Sequence, residues 1–160
     1  MNKRNFVWPA AALIFAAALV FYLRSSVNFK VYDEWGVARN VFPYVKWDAA
    51  IEMFSAEVSE TLDYRTFRTR DGDIIMLYGV AAAFREKEAV RFMKKQIAGK
   101  SVVIYVCGTQ DDYSGIIRGI VFYGEGERCL NKDVYDAGFA DIKISDKYLS
   151  PAEWFDAETD

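Results

Sequence analysis

The side chains able to do chemistry in this chain fall mostly between Arg65 and Cys129. Arg65, Arg68 and Arg70 flank Phe67 in RTFRTR, a basic and aromatic pattern of the kind that grips a phosphate backbone. Asp73, Glu86 and Glu88 are carboxylates close in sequence, and they could hold a divalent cation if the fold converged them. Their placement argues for a solvated role, because hairpin turns and helix faces ordinarily carry such residues. The chain has no histidine, so the commonest general base and metal ligand is missing. Cys107 and Cys129 lack C-x-x-C spacing, which argues against zinc. An even pair permits a disulfide and is equally compatible with two buried thiols.

Among these groups lies Gly79–Phe84, GVAAAF, which joins a hairpin-like run, RTFRTRDGDIIMLY, to a charged helix-like run, REKEAVRFMKKQIAGK. Asp71-Gly72 predicts a tight hairpin turn with both central residues at positive φ. A helix is expected at about Arg85–Ala98, a strand at Lys100–Cys107, a polar loop at Gly108–Gly115 and a strand at Ile116–Tyr123. Gly124–Gly126 makes the next turn, and NKDVYDAG suits a short helix closed by Gly138 in a left-handed cap. Ser150 as cap and Pro151 at the first helical position start a terminal helix. Strands, helix, strands, helix is an α+β order, mainly β.

Upstream the character of the chain changes. Phe6 to Leu23 is a run of 18 residues without a charge, which as a helix reaches about 27 Å and just spans a bilayer. Trp8 and Tyr22 stand near its ends, where amphipathic rings favour the interface. The alternative, a cleaved signal peptide, fits less well, since the run ends FYLRSS rather than in small residues. Basic residues flank both ends, so they leave orientation open. The domain plan is therefore an anchor over 1–24, an aromatic juxtamembrane linker over 25–57 and a folded domain over 58–160. Within the linker, Pro43 opens an expected amphipathic helix to about Ser55. Trp35, Phe42, Tyr44 and Trp47 either pack on the domain's own core or lie on a membrane surface or a partner.

EAVRFMKKQIAGKSVVIYV followed by DDYSGIIRGIVFYGEGERCLNKDVYDAGFADI resembles the staphylococcal-nuclease (thermonuclease) family. Glu88, Ala89, Phe92, Lys94 and Lys95 fit that family's helix, Asp111 and Tyr113 its loop, Gly126 and Asn131 its turn, and Gly138 and Ala140 the end of its next helix. RTFRTRDGDIIMLYGV is similar to its first strands. The likeness covers about Val58–Ile142 and implies an OB-fold, a five-stranded Greek-key barrel with packed helices. It also suggests an exported, extracytoplasmic domain.

Such a nuclease holds a divalent cation on carboxylates, activates water with another carboxylate and neutralises the phosphate with two arginines. Carried over by position, the first arginine becomes Met76, the metal-binding aspartate becomes Ala81, the catalytic glutamate becomes Phe84 and an earlier aspartate falls near Arg65. The second arginine falls at Gly115 by one alignment and at Arg118 by another, of which Arg118 preserves the strand and turn lengths. Hydrocarbon in these places cannot grip a cation, and Phe84 is expected to fill the vacated volume. The resemblance thus implies an inactive relative with no catalytic residue, metal or cofactor, and Arg118 as a remnant.

Charge narrows the partners. Beyond the anchor, Ser25–Asp160 carries 17 basic against 23 acidic residues, a net −6 that repels nucleic acid. Three readings remain: a membrane-held protein-interaction or accessory domain of a membrane or envelope assembly, a metal-dependent phosphodiesterase with rearranged ligands, and a module that binds envelope polysaccharide on aromatic faces.

Overall fold

A computed structural model describes residues 30–110, 115–143 and 147–156. The expected anchor, Phe6–Leu23, and the loop residues Asp111 and Tyr113 lie outside the described residues. Among those described, no helix is long and apolar enough to cross a membrane. Val31–Asp160 is one compact unit.

The elements in order are β1 (Glu52–Thr61), β2 (Thr66–Thr69), β3 (Ile74–Leu77), β4 (Val80–Ala83), α1 (Glu86–Ile97), β5 (Ser101–Gln110), β6 (Ile116–Tyr123), β7 (Arg128–Cys129), α2 (Leu130–Asp136), β8 (Ala140–Ile142) and α3 (Pro151–Asp156). β1, β2, β3, β5 and β6 close into a five-stranded barrel of mixed direction. Antiparallel pairs run β3-β2-β1-β5-β6, and a parallel pairing of β3 with β6 closes the ring. This is the OB-like, mainly β architecture expected from the sequence.

The strand sequences carry the barrel's layering. On β1, Ala56 and Val58 are buried while Ser55 and Ser59 are exposed and Glu57 half-buried, the period-2 alternation of a half-buried strand, before the register shifts at Glu60. β5 is apolar on both faces because both are covered. Val102, Ile104 and Val106 join Phe67, Ile75, Leu77 and Val121 inside the barrel, where Met93 and Ile97 of α1 also pack. Val103, Tyr105 and Cys107 join Ile120 and Phe122 in a second core on the barrel's outer face.

Residues expected to be linker cover that outer face. Val37, Phe42, Tyr44 and Val45 are buried in the second core with Leu149 and Trp154. The Lys46 N–H donates to Tyr148 O at 2.9 Å, and the Ser150 N–H donates to Tyr44 O at 2.7 Å. These bonds tie the segment before β1 to the segment leading into α3. The expected helix Pro43–Ser55 is a correction: the chain makes one 3-10 turn at Trp47–Ala49 and enters β1 at Glu52. Residues 52–57 pair with residues 101–106 of β5, and this cross-strand ladder overrides a short helical pattern. The hairpin forms as expected, but only Gly72 takes positive φ, at 100°, because four residues rather than two connect β2 to β3.

Two polar or glycine positions lock the layers. Asn131 at the start of α2 is fully buried. Its Oδ1 accepts from the Val121 N–H at 2.9 Å, and its Nδ2 donates to Tyr78 O at 2.9 Å and Gly119 O at 3.2 Å. Gly126, at φ 73°, lies against Gly36 and Val37, and its carbonyl accepts the Ala38 N–H at 3.0 Å. A Cβ there would stand 2.0 Å from Gly36 O.

Candidate functional site

The strand registers bring most of the sequence-derived positions together. Met76 on β3 is paired with Thr66 of β2 on one side and with Arg118 of β6 on the other. Arg65, immediately before Thr66, accepts the Leu77 N–H at its carbonyl at 2.7 Å. Its guanidinium reaches forward, with Nη1 donating to Val80 O at 3.1 Å and lying 3.4 Å from Ala81 O. The Tyr64 hydroxyl donates to the same Ala81 carbonyl at 2.7 Å. Arg65, Met76 and Arg118 therefore stand at adjoining positions just before β2 and on β3 and β6, and Arg65 reaches the backbone of β4 at Ala81. Gly115 precedes β6 with φ 63°, and Arg118 is the residue that the register sets beside Met76.

What converges there is cationic and apolar. Arg118 Nε is buried without a hydrogen-bond partner, an uncommon state for a guanidinium. An anion could satisfy such a group, but a guanidinium holds its proton and cannot serve as a base. Among the described residues no three acidic, cysteine or histidine side chains gather as a cation would require. Asp73, Glu86 and Glu88 are not assembled, and Glu88 instead pairs with Arg85 at 3.3 Å. The expectation for Phe84 is corrected. It fills nothing: its ring is 69% exposed, because its N–H bonds Phe139 O and turns the chain out of β4 into α1. Within GVAAAF, Val80–Ala83 forms β4, paired with β8 across some sixty residues of sequence.

The two cysteines are free and buried. Burial pushes both thiols up to about 12, so they stay protonated and unreactive at neutral pH. Tyr44, Tyr105 and Tyr123 are also raised, first by burial, and remain neutral structural residues.

The four aromatics expected as an interaction surface separate. Phe42 and Tyr44 are each only 4% exposed and are core residues, because the outer sheet face needs an apolar cover. Trp47 is half-buried, stacked on Phe122 at 5.3 Å, with the Arg39 guanidinium 4.9 Å from its ring centroid. Trp35 keeps 38% exposure and lines a groove of about 590 Å³ with Tyr32, Ser55, Lys100, Ser101 and Glu125. RTFRTR is likewise divided: Phe67 is in the barrel core, Arg70 pairs with Glu57 at 2.5 Å, and Arg68 lies 3.9 Å from Glu60.

One feature was not singled out from the sequence. A second groove, of about 430 Å³, runs between α1 and the turn before β8, lined by Arg85, Glu88, Arg91, Phe92, Lys95 and Phe139. Arg85 closes one end, donating to Ala137 O and Gly138 O and lying 5.1 Å from the Phe139 ring centroid. The four-residue spacing of Lys87, Arg91 and Lys95 was the signal available in the sequence.

No family model matches the chain, and comparison with curated proteins gives no match.

Proposed function

We propose that this chain is a catalytically inactive, thermonuclease-like barrel, held at a membrane by its N-terminal apolar segment. It serves as an interaction or accessory subunit of a membrane or envelope assembly, with the barrel on the extracytoplasmic side. One observation carries the reading. Arg65, Met76, Ala81 and Phe84 stand where the resemblance would put charged groups of a nuclease, and beside Met76 in the strand register only Arg118 remains in kind. Water activation and cation binding both need a carboxylate at such a place. The apolar run Phe6–Leu23 supports the membrane assignment.

The full chain in mild detergent, incubated with single-stranded DNA and calcium, is expected to leave the substrate intact. Metal-dependent cleavage that disappears on replacing a single carboxylate would overturn the reading. Stoichiometric co-purification of a membrane protein from native membranes is the positive counterpart. A second reading, a polysaccharide module, is favoured by the groove beside Tyr32 and Trp35, where aromatic faces stand next to serine hydroxyls. Titration of envelope polysaccharide would then change tryptophan fluorescence, and Trp35→Ala would remove the change.

A further inference from the structure

The cations of this acidic domain divide into two kinds. Those of the hairpin are committed: Arg65 to backbone carbonyls, Arg70 to Glu57, and Arg68 beside Glu60. Those of α1 are not. Among the described residues Lys87, Arg91, Lys94 and Lys95 have no carboxylate partner, and all four are exposed. Ala89, Met93 and Ile97 are the buried residues of α1, so at 100° per residue the line Lys87, Arg91, Lys95 runs along the face opposite the core.

Lys94 and Lys95 in the last turn complement the helix dipole, as Glu86 and Glu88 do in the first, whereas Lys87 stands in the first turn, where a cation is unfavourable. The spacings 87 to 91 and 91 to 95 also set like charges at i, i+4, a mildly destabilising arrangement. Phe84 stands two residues ahead of α1 and is 69% exposed, a large apolar group in the segment that leads into the helix. An exposed ring leading into a helix that carries solvent-facing cations fits an anionic lipid surface, which attracts the charges while the ring settles among headgroups.

Resting on the membrane-held reading above, we infer that the outward face of α1, with Phe84, lies on the anionic surface of the bilayer that anchors the chain. Arg24 to Lys30 separate the apolar run from the compact unit, and seven residues reach at most about 25 Å. The tether therefore keeps the domain within reach of the headgroups. The net −6 of Ser25–Asp160 disfavours contact of most faces with anionic lipid, and the exposed cations of α1, four on one helix, favour the face that carries them. The tethered end is close to that helix. Tyr32 and Trp35, just past the tether, share their groove with Lys100, three residues beyond Ile97. The docking holds the barrel in one orientation and leaves its other faces to the assembly.

The test uses the full chain reconstituted in phosphatidylcholine vesicles, with and without about a quarter phosphatidylglycerol, and a water-soluble amine reagent read lysine by lysine by mass spectrometry. At low salt the anionic lipid should lower labelling of Lys87, Lys94 and Lys95 by about fivefold or more, and high salt should restore it, while Lys46 is unchanged. In a second arm, R91E/K95E, two changes on the solvated face, should return Lys87 and Lys94 to their labelling in phosphatidylcholine. Equal labelling in the two lipids overturns the inference and leaves the anchor standing, provided that the chain floats with the vesicles. Protection in phosphatidylcholine alone also overturns it and points to contact between copies. A chain that does not float with either vesicle overturns both the anchor and the docking.

Discussion

Asn131→Leu tests whether a single buried amide holds the barrel to its helices. The replacement is close in size, so the loss reads hydrogen bonding rather than a cavity. Three backbone groups bond to the Asn131 side chain, at 2.9, 2.9 and 3.2 Å. Gly119 O also accepts the Tyr78 N–H at 2.8 Å, so it keeps a partner. The Val121 N–H is left buried and unpaired and Tyr78 O part-buried and unpaired, at about 1–3 kcal/mol each with Tyr78 O at the low end, or about 4 kcal/mol at most together. For the roughly 130 residues of Val31–Asp160, an unfolding entropy of about 2.1 cal/mol/K per residue makes each kcal/mol worth about 4 °C. The thermal midpoint, followed by tryptophan fluorescence in detergent, should fall by up to about 15 °C. A fall below about 4 °C would mean that the freed groups find other partners, and would refute Asn131 as the lock between α2, β6 and the end of β3.

Further outcomes follow from the same geometry. Gly126→Ala should lower the midpoint by on the order of 10 °C, since its Cβ would stand 2.0 Å from Gly36 O; an unchanged midpoint would sink the close approach. Phe84→Ser should move the midpoint by less than about 2 °C, because the ring is 69% exposed; a large loss would restore the pocket-filling role refuted above. The two thiols are raised in the folded state, from 9.0 to about 12. Their contribution is full below pH 9 and is lost as pH rises toward 12, so denaturant midpoints should fall steadily across that window. Cys129→Ala should flatten the fall, and an equal slope in the variant would remove the thiol as its cause. At neutral pH neither cysteine should react with a thiol reagent in the folded chain, and rapid labelling would contradict their burial.

Local sequence was sufficient where neighbours in the chain decide the structure. The hairpin around Gly72, α1, β6, the turn at Gly124–Gly126, α2 ended by Gly138 and α3 opened by Pro151 all rest on turn glycines, caps and periodicity within about ten residues. That Met76, Ala81 and Phe84 carry no charge is likewise a property of the sequence, and the registers then set Met76 beside Arg118. Other features depended on partners far along the chain. Pro43–Ser55 has helical spacing, yet residues 52–57 pair with β5 about fifty residues later, and Phe42 and Tyr44 are buried under the outer sheet face with Trp154. Val80–Ala83 becomes a strand because β8 lies beside it, and that pairing aims Phe84 into solvent. Apolar residues by themselves specify burial; which surface buries them is set by the long-range pairing that closes the barrel, and no local pattern encodes it.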